Sequence, residues 1–278
     1  MNTSHWIVQG KGGVGKSLVA SLLAQYIRDG LAKKGRPADL LRCYDTDPVN
    51  QSFAAIPSLN AEQINITEDD GLQVDEMRFD TLLEKLFGQP DVGIAVIDNG
   101  ASCFLSLCNY LKTGNVFDIL QSGYKHRGYL HTVVIGGTAF QDTVRGLDSL
   151  CRNFPGVPVI LWKNLFYGPL EGKKEQDGEG RIVRLEESHV WQSVKKTVEG
   201  VITIPHAPPQ TTGKDLSALY SRNATFHDAV NDPSLPLMTR HRLYQYRNQV
   251  MVAINKALWE ILDFGDYYEN PAWSGPED

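Results

Sequence analysis

The chain has 278 residues, enough to bury a core of its own without disulfide or metal staples. With 42% hydrophobic and 22% charged residues it has the composition of an ordinary globular protein, which excludes collagen, coiled coil and global disorder. A formal charge of −6 excludes coating of nucleic acid by bulk charge and leaves only a local basic patch for such a role.

Short apolar runs then alternate with helical patterns. Residues 5–9 read as a strand that enters a glycine loop. Residues 17–29 carry Leu18, Leu22 and Ile27 on one helical face, and residues 40–44 form a second apolar run that ends in acids. Residues 80–87 read as a helix with Leu82, Leu83 and Leu86 facing inward. Residues 92–97 are nearly all apolar, the mark of a strand covered on both faces. Residues 132–135 repeat that mark before Gly136-Gly137, and a helix follows from about 141 to 152. Residues 157–162 and 201–204 are further strands, the second stopped by Pro205. This rhythm predicts an α/β fold, a doubly wound, mostly parallel sheet with helices on both faces.

Residues 171–181, rich in glycine and charge, read as an exposed loop. Residues 205–214 read as an irregular loop at a strand end, where doubly wound sheets bind ligands. Residues 239–262 place Leu243, Tyr246, Val250, Ile254, Leu258 and Ile261 at helical spacing, a long amphipathic helix. The expected organisation is one domain over residues 1–262 and a loosely attached acidic tail over 263–278.

Cys43, Cys103, Cys108 and Cys151 lack zinc-ligand spacing and read as free thiols of a reducing compartment. The first residues carry no secretory pattern, and no apolar run reaches the roughly 18 residues of a membrane span. A cytoplasmic protein without integral membrane association is the expectation.

One motif carries chemistry. Gly10-Lys11-Gly12-Gly13-Val14-Gly15-Lys16-Ser17 fits G-x-x-x-x-G-K-[ST] between a strand and a helix. Glycines let backbone N–H groups turn around a phosphate, and the helix N-terminus adds partial positive charge. Lys16 is placed to neutralise β/γ oxygens, Ser17 to ligate Mg²⁺, and Leu18 follows in the first turn. A P-loop calls for an acid at a second strand end, and Asp98 fits that Walker B position as a metal ligand, against an alternative as a helix N-cap. Asp45-Thr46-Asp47 ends the second strand and puts two acids on one side of an extended chain, with a plain turn as the alternative.

Lys11 directly after the first glycine resembles the deviant Walker A signature of the ParA/MinD-like ATPases. That resemblance implies ATP and Mg²⁺ as ligands and an ATP-sandwich homodimer in which Lys11 reaches the partner's nucleotide. It assigns Asp47 to the attacking water, Asp45 and Asp98 to the metal's surroundings, Asn164 to adenine and the loop after Pro205 to closure over the base. Val49 after the switch I proline and Asp98-Asn99-Gly100-Ala101 at switch II depart from plasmid-partition members. Residues 9–17, 45–53, 96–104, 131–137 and 233–243 resemble instead the TraL-type proteins of conjugative plasmids. The implied function is a slow, partner-stimulated ATPase switch in conjugative transfer or plasmid maintenance, with a conjugation or plasmid-maintenance protein as partner. A partition ATPase that binds DNA is one alternative, through Arg240, Arg242, Arg247 and Lys256 or Lys195-Lys196. A P-loop small-molecule transferase or ligase is another.

Overall fold

A computed structural model describes residues 1–68, 73–88, 93–173 and 182–265. The chain opens with β1 (Asn2–Ile7), the P-loop and α1 (Lys16–Lys33). There follow β2 (Leu41–Asp45), β3 (Glu62–Gln63), α2 (Phe79–Phe87) and β4 (Ile94–Asp98). Helices α3 (Phe104–Thr113) and α4 (Val116–Tyr124) fill a stretch to which the sequence rhythm assigns no element. Then come β5 (His126–Ile135), α5 (Phe140–Asn153), β6 (Val159–Asn164), β7 (Glu171–Lys173) and β8 (Ile182–Arg184). The last elements are α6 (His189–Val194), β9 (Val198–Ile204), α7 (Thr212–Ser221), α8 (Phe226–Val230) and α9 (Leu237–Leu262).

Seven strands form one sheet in the order β3-β2-β4-β1-β5-β6-β9, and every pairing in it is parallel. The expected doubly wound sheet is therefore present. Side chains alternate across it, as the two-residue repeat of a strand requires. Ile7, Val96, Val133 and Trp162 face the core shared with α1 and α9. Trp6, Val8, Ile97 and Leu130 face the other core, built with residues of α2, α3, α4 and α5. From β1 the chain winds outward through β2, returns through β4, and then crosses to β5 on the other side. That reversal leaves a crevice at the carboxyl end of β1, the place where open α/β sheets take ligands.

Three expectations change. Part of the expected 171–181 loop is strand: β7 pairs antiparallel with β8, and residues 174–181 lie outside the described residues. Gly172 lets that hairpin lie on the Phe140 ring; a Cβ there would come within 2.7 Å of Phe140 Cβ. The irregular loop after Pro205 ends early, because α7 starts at Thr212. The expected tail is not loose where it begins. Asp263 closes α9 in the left-handed region at φ 54°, and Phe264 turns back to be 1% exposed against Tyr26. Residues 266–278 of that tail lie outside the described residues. No helix among the described residues is long and apolar enough to cross a membrane.

Candidate nucleotide-binding site

The P-loop occupies the crevice at the end of β1. Gly13 and Gly15 take φ of 72° and 98°, values that a side chain would strain, so the glycines here are a backbone requirement. Gly10, Lys11, Gly12 and Gly13 are exposed, whereas Val14 is buried and anchors the loop. Helix α1 starts without a capping side chain and without an acid in its first turn. Its first N–H groups and dipole are thus left for an anion. Ser17 and Leu18 sit half-buried in that turn.

Lys16 is 8% exposed and donates from Nζ to the Lys11 carbonyl at 3.3 Å. Burial lowers its pKa, and the nearby Asp98, Asp47 and Cys103 pull it back up. Asp98 is 1% exposed, and neither carboxylate oxygen has a hydrogen-bond partner. Burial raises its pKa to about 7; Ser17 offsets part of the rise, Asp45 adds to it, and Lys16 again opposes it. An orphaned buried carboxylate beside a P-loop serine is what a bound cation compensates. Mg²⁺ fits there. Among the described residues no cluster of three His, Cys, Asp or Glu forms a cage by itself.

Asp45, expected near the metal, also has a task in the backbone. It is fully buried. Its Oδ1 accepts from Asp47 N at 3.0 Å, and its Oδ2 from Phe53 N at 3.1 Å and Ala54 N at 2.9 Å. Burial raises its pKa, and these N–H groups counter the rise. Asp45 therefore holds the backbone of the loop after β2. Asp47 lies at the start of that loop, 8% exposed, and accepts from Val49 N and Asn50 N at 2.9 and 3.0 Å.

Asn164 also departs from expectation. Fully buried at the end of β6, it donates to the Val14 carbonyl at 3.0 Å and accepts from Phe166 N at 3.1 Å. Its amide braces the P-loop from beneath and presents no surface to a base. Pro205 stands at the end of β9 with its carbonyl held by the Tyr246 hydroxyl at 2.9 Å. Lys11 is half-exposed, and its Nζ lies 2.8 Å from Asp142 on α5. Of the helix arginines weighed for DNA, Arg242 pairs with Asp215 and Arg247 with Asp29, each at 2.5 Å.

No family model matches the chain. A protein TraL of Escherichia coli is 37% identical over 260 residues, 93% of this chain and 96% of that protein. A second Escherichia coli TraL is 36% identical over 254 residues, 91% of this chain and 97% of that protein. The chain belongs to the TraL family.

Solved structures similar to this TraL-family chain include a MinC:MinD cell division complex of Aquifex aeolicus. It has a TM-score of 0.45 and 16% identity over 90% of this chain and 96% of that one. A putative plasmid partition protein of Borrelia burgdorferi bound to AMPPNP has a TM-score of 0.43 and 17% identity, over 92% and 100%.

Sequence reasoning missed four participants in this TraL-family site. Gln9 is 1% exposed and donates to Thr132 Oγ1, Val133 O and Thr143 O, which fixes the entry to the P-loop. Asp142 engages Lys11 from a helix 131 positions away in sequence. Asn99 and Thr46 join the ends of β4 and β2, with Thr46 Oγ1 2.8 Å from Asn99 Oδ1. No motif spacing flags such partners, because they meet only through the sheet.

Proposed function

We propose that this TraL-family protein is a ParA-like ATPase that binds Mg-ATP, dimerises around two nucleotides and switches slowly with hydrolysis. The observation that carries the reading is the uncapped α1 N-terminus behind a left-handed glycine loop, flanked by Lys16 and the orphaned Asp98 carboxylate. Together they offer N–H donors, a cation and an unmatched anion around one crevice, the needs of a triphosphate and its metal. Bound at Ser17 and Asp98, Mg²⁺ would supply charge neutralisation of the phosphate oxygens. Lys16 binds β/γ oxygens, and Asp47 orients the attacking water.

Lys11 is the cross-subunit lysine, and Asp142 holds it while no partner is present. The partners are a second copy and a conjugation or plasmid-maintenance protein, and the working compartment is the cytoplasm. DNA contact, if it accompanies dimerisation, must come from charges other than the paired Arg242 and Arg247. It should then require ATP and weaken steeply with salt.

Light scattering tests the switch. The protein without nucleotide should run as a monomer or loose dimer, and Mg-ATP under slow turnover should give a tight dimer. Lys11→Ala should fold normally and lose the ATP-dependent dimer. A dimer unchanged in that variant removes Lys11 from the interface.

A further inference from the structure

We propose that Asn99 and Gly100 are positioning residues that seat the Asp47 carboxylate. The proposal rests on the reading of Asp47 as the water-orienting group. Both residues stand at the start of the loop after β4.

Gly100 supplies space. A Cβ on it would lie 2.8 Å from both Cγ and Oδ1 of Asp47 and 3.1 Å from Oδ2. Gly100 is not among the glycines with positive φ, so its backbone suits alanine, and the nearest atoms a Cβ would meet are those of the neighbouring carboxylate. That carboxylate cannot simply swing aside, because Oδ1 is held by Val49 N and Asn50 N. Asn99 supplies the fixed point next to it. It is 1% exposed; Nδ2 donates to the Ile7 carbonyl at 3.2 Å, and Oδ1 accepts from Thr46 Oγ1 at 2.8 Å. Thr46 N also donates to the Asp98 carbonyl at 2.9 Å. One amide thus ties the carboxyl ends of β1, β4 and β2, and Asp47 is the next residue in the chain. The seat is two-sided: Thr46 pinned by Asn99 behind, and in front the place of a methyl on Gly100, which the carboxylate occupies.

The same segment bears on the P-loop. A Cβ on Gly10 would lie 3.0 Å from the Phe104 ring.

The experiment measures steady-state ATP turnover together with amide hydrogen exchange at Val49 and Asn50. Gly100→Ala should lower kcat on the order of 10- to 100-fold, as expected for a misplacement near 1 Å, with KM for ATP within about twofold. Exchange at Val49 and Asn50 should accelerate. In an Asp47→Ala background the same Gly100→Ala change should alter kcat by less than about twofold, because coupled residues are not additive. Asn99→Ala and Thr46→Val should lower kcat in the same way, and Thr46→Ser should restore it. Unchanged exchange in Gly100→Ala overturns the seat. A full further loss of kcat in the Asp47→Ala background overturns it as well, since Gly100 would then act elsewhere. Faster exchange with wild-type kcat supports the seat and removes Asp47 from hydrolysis.

Discussion

Two buried aspartates a few ångströms from the same crevice lead opposite lives. Asp45 spends both oxygens on three backbone N–H groups, whereas Asp98 has neither oxygen engaged. Asp45→Asn turns an acceptor into an NH₂ that faces an N–H donor. Hydrogen bonds to a charged group contribute about 1.5–3 kcal/mol each, so a loss of a few kcal/mol in unfolding free energy is expected with or without nucleotide. Asp98→Asn removes a buried carboxylate that burial already pushes toward its neutral form, so stability without ligand should hold or rise. The rise in stability on adding Mg-ATP should vanish in that variant alone. Thermal melts of both variants in the presence and absence of Mg-ATP separate the two roles; equal responses would place both acids on the metal. Lys11 and Asp142 make a third contrast. Exposed ion pairs contribute about 0–1 kcal/mol, so Asp142→Asn should free Lys11 and tighten the ATP-dependent dimer by up to about fivefold for each subunit's lysine. Sedimentation at graded protein concentration reads that shift, and a weaker dimer would show Asp142 to be an interface residue instead.

At the scale of elements, the end of α9 depends on a residue beyond it. Phe264 packs on Tyr26 at a ring-centroid distance of 5.9 Å, and Gly30 makes room, since a Cβ there would meet the Phe264 ring at 2.5 Å. Phe264→Ala should lose about 3–5 kcal/mol, and Gly30→Ala should lose stability by overpacking. A chain ending at 262 should melt several degrees below one ending at 265. Equal melting of the two truncated chains would return Phe264 to the tail. Elements of this kind were hard to read. The helical spacing i, i+1, i+4 is visible for α2 in Leu82, Leu83 and Leu86, all of them buried. It is lost around α3 and α4, where Gly114 and a left-handed Asn115 at φ 48° break one helical run into two short ones. Strand β3 is two polar residues and is defined only by its partner β2.

For the whole molecule, what was legible follows what backbone geometry dictates. The P-loop was legible because its turns demand glycine in sequence. The sheet was legible where β4 and the end of β5 are covered on both faces and run apolar, at 94–97 and 133–135. The tasks of Asp45 and Asn164 were not, because their partners are backbone groups brought in by loops. Nor was the polar chain that runs through the sheet itself, because imidazoles inside a strand read as breaks in an apolar run. His5, His126 and His131 are all fully buried. Trp162 Nε1 can only donate, and it lies 2.9 Å from His131 Nδ1, so that nitrogen must be the acceptor. His131 then carries its proton on Nε2 and donates to His5 Nδ1 at 2.9 Å. Protonating either ring would turn an acceptor into a donor facing a donor. Burial accordingly lowers His5 to about 3 with help from His126, lowers His126 to about 4, and holds His131 well below its usual value. With folded pKa values depressed, the unfolded chain binds more protons below pH about 6.5, and stability falls as pH drops from there toward 4. Each imidazole contributes a slope of up to about 1.4 kcal/mol per pH unit. Asp98, raised to about 7, and Asp45, also raised by burial, act in the opposite sense, two groups against three. Urea titrations at pH 7.5, 6 and 5 should therefore show the midpoint dropping at each step, and His126→Leu should flatten the fall by about a third. A midpoint that stays level between pH 7.5 and 5 would show that the three rings accept protons without leaving the fold.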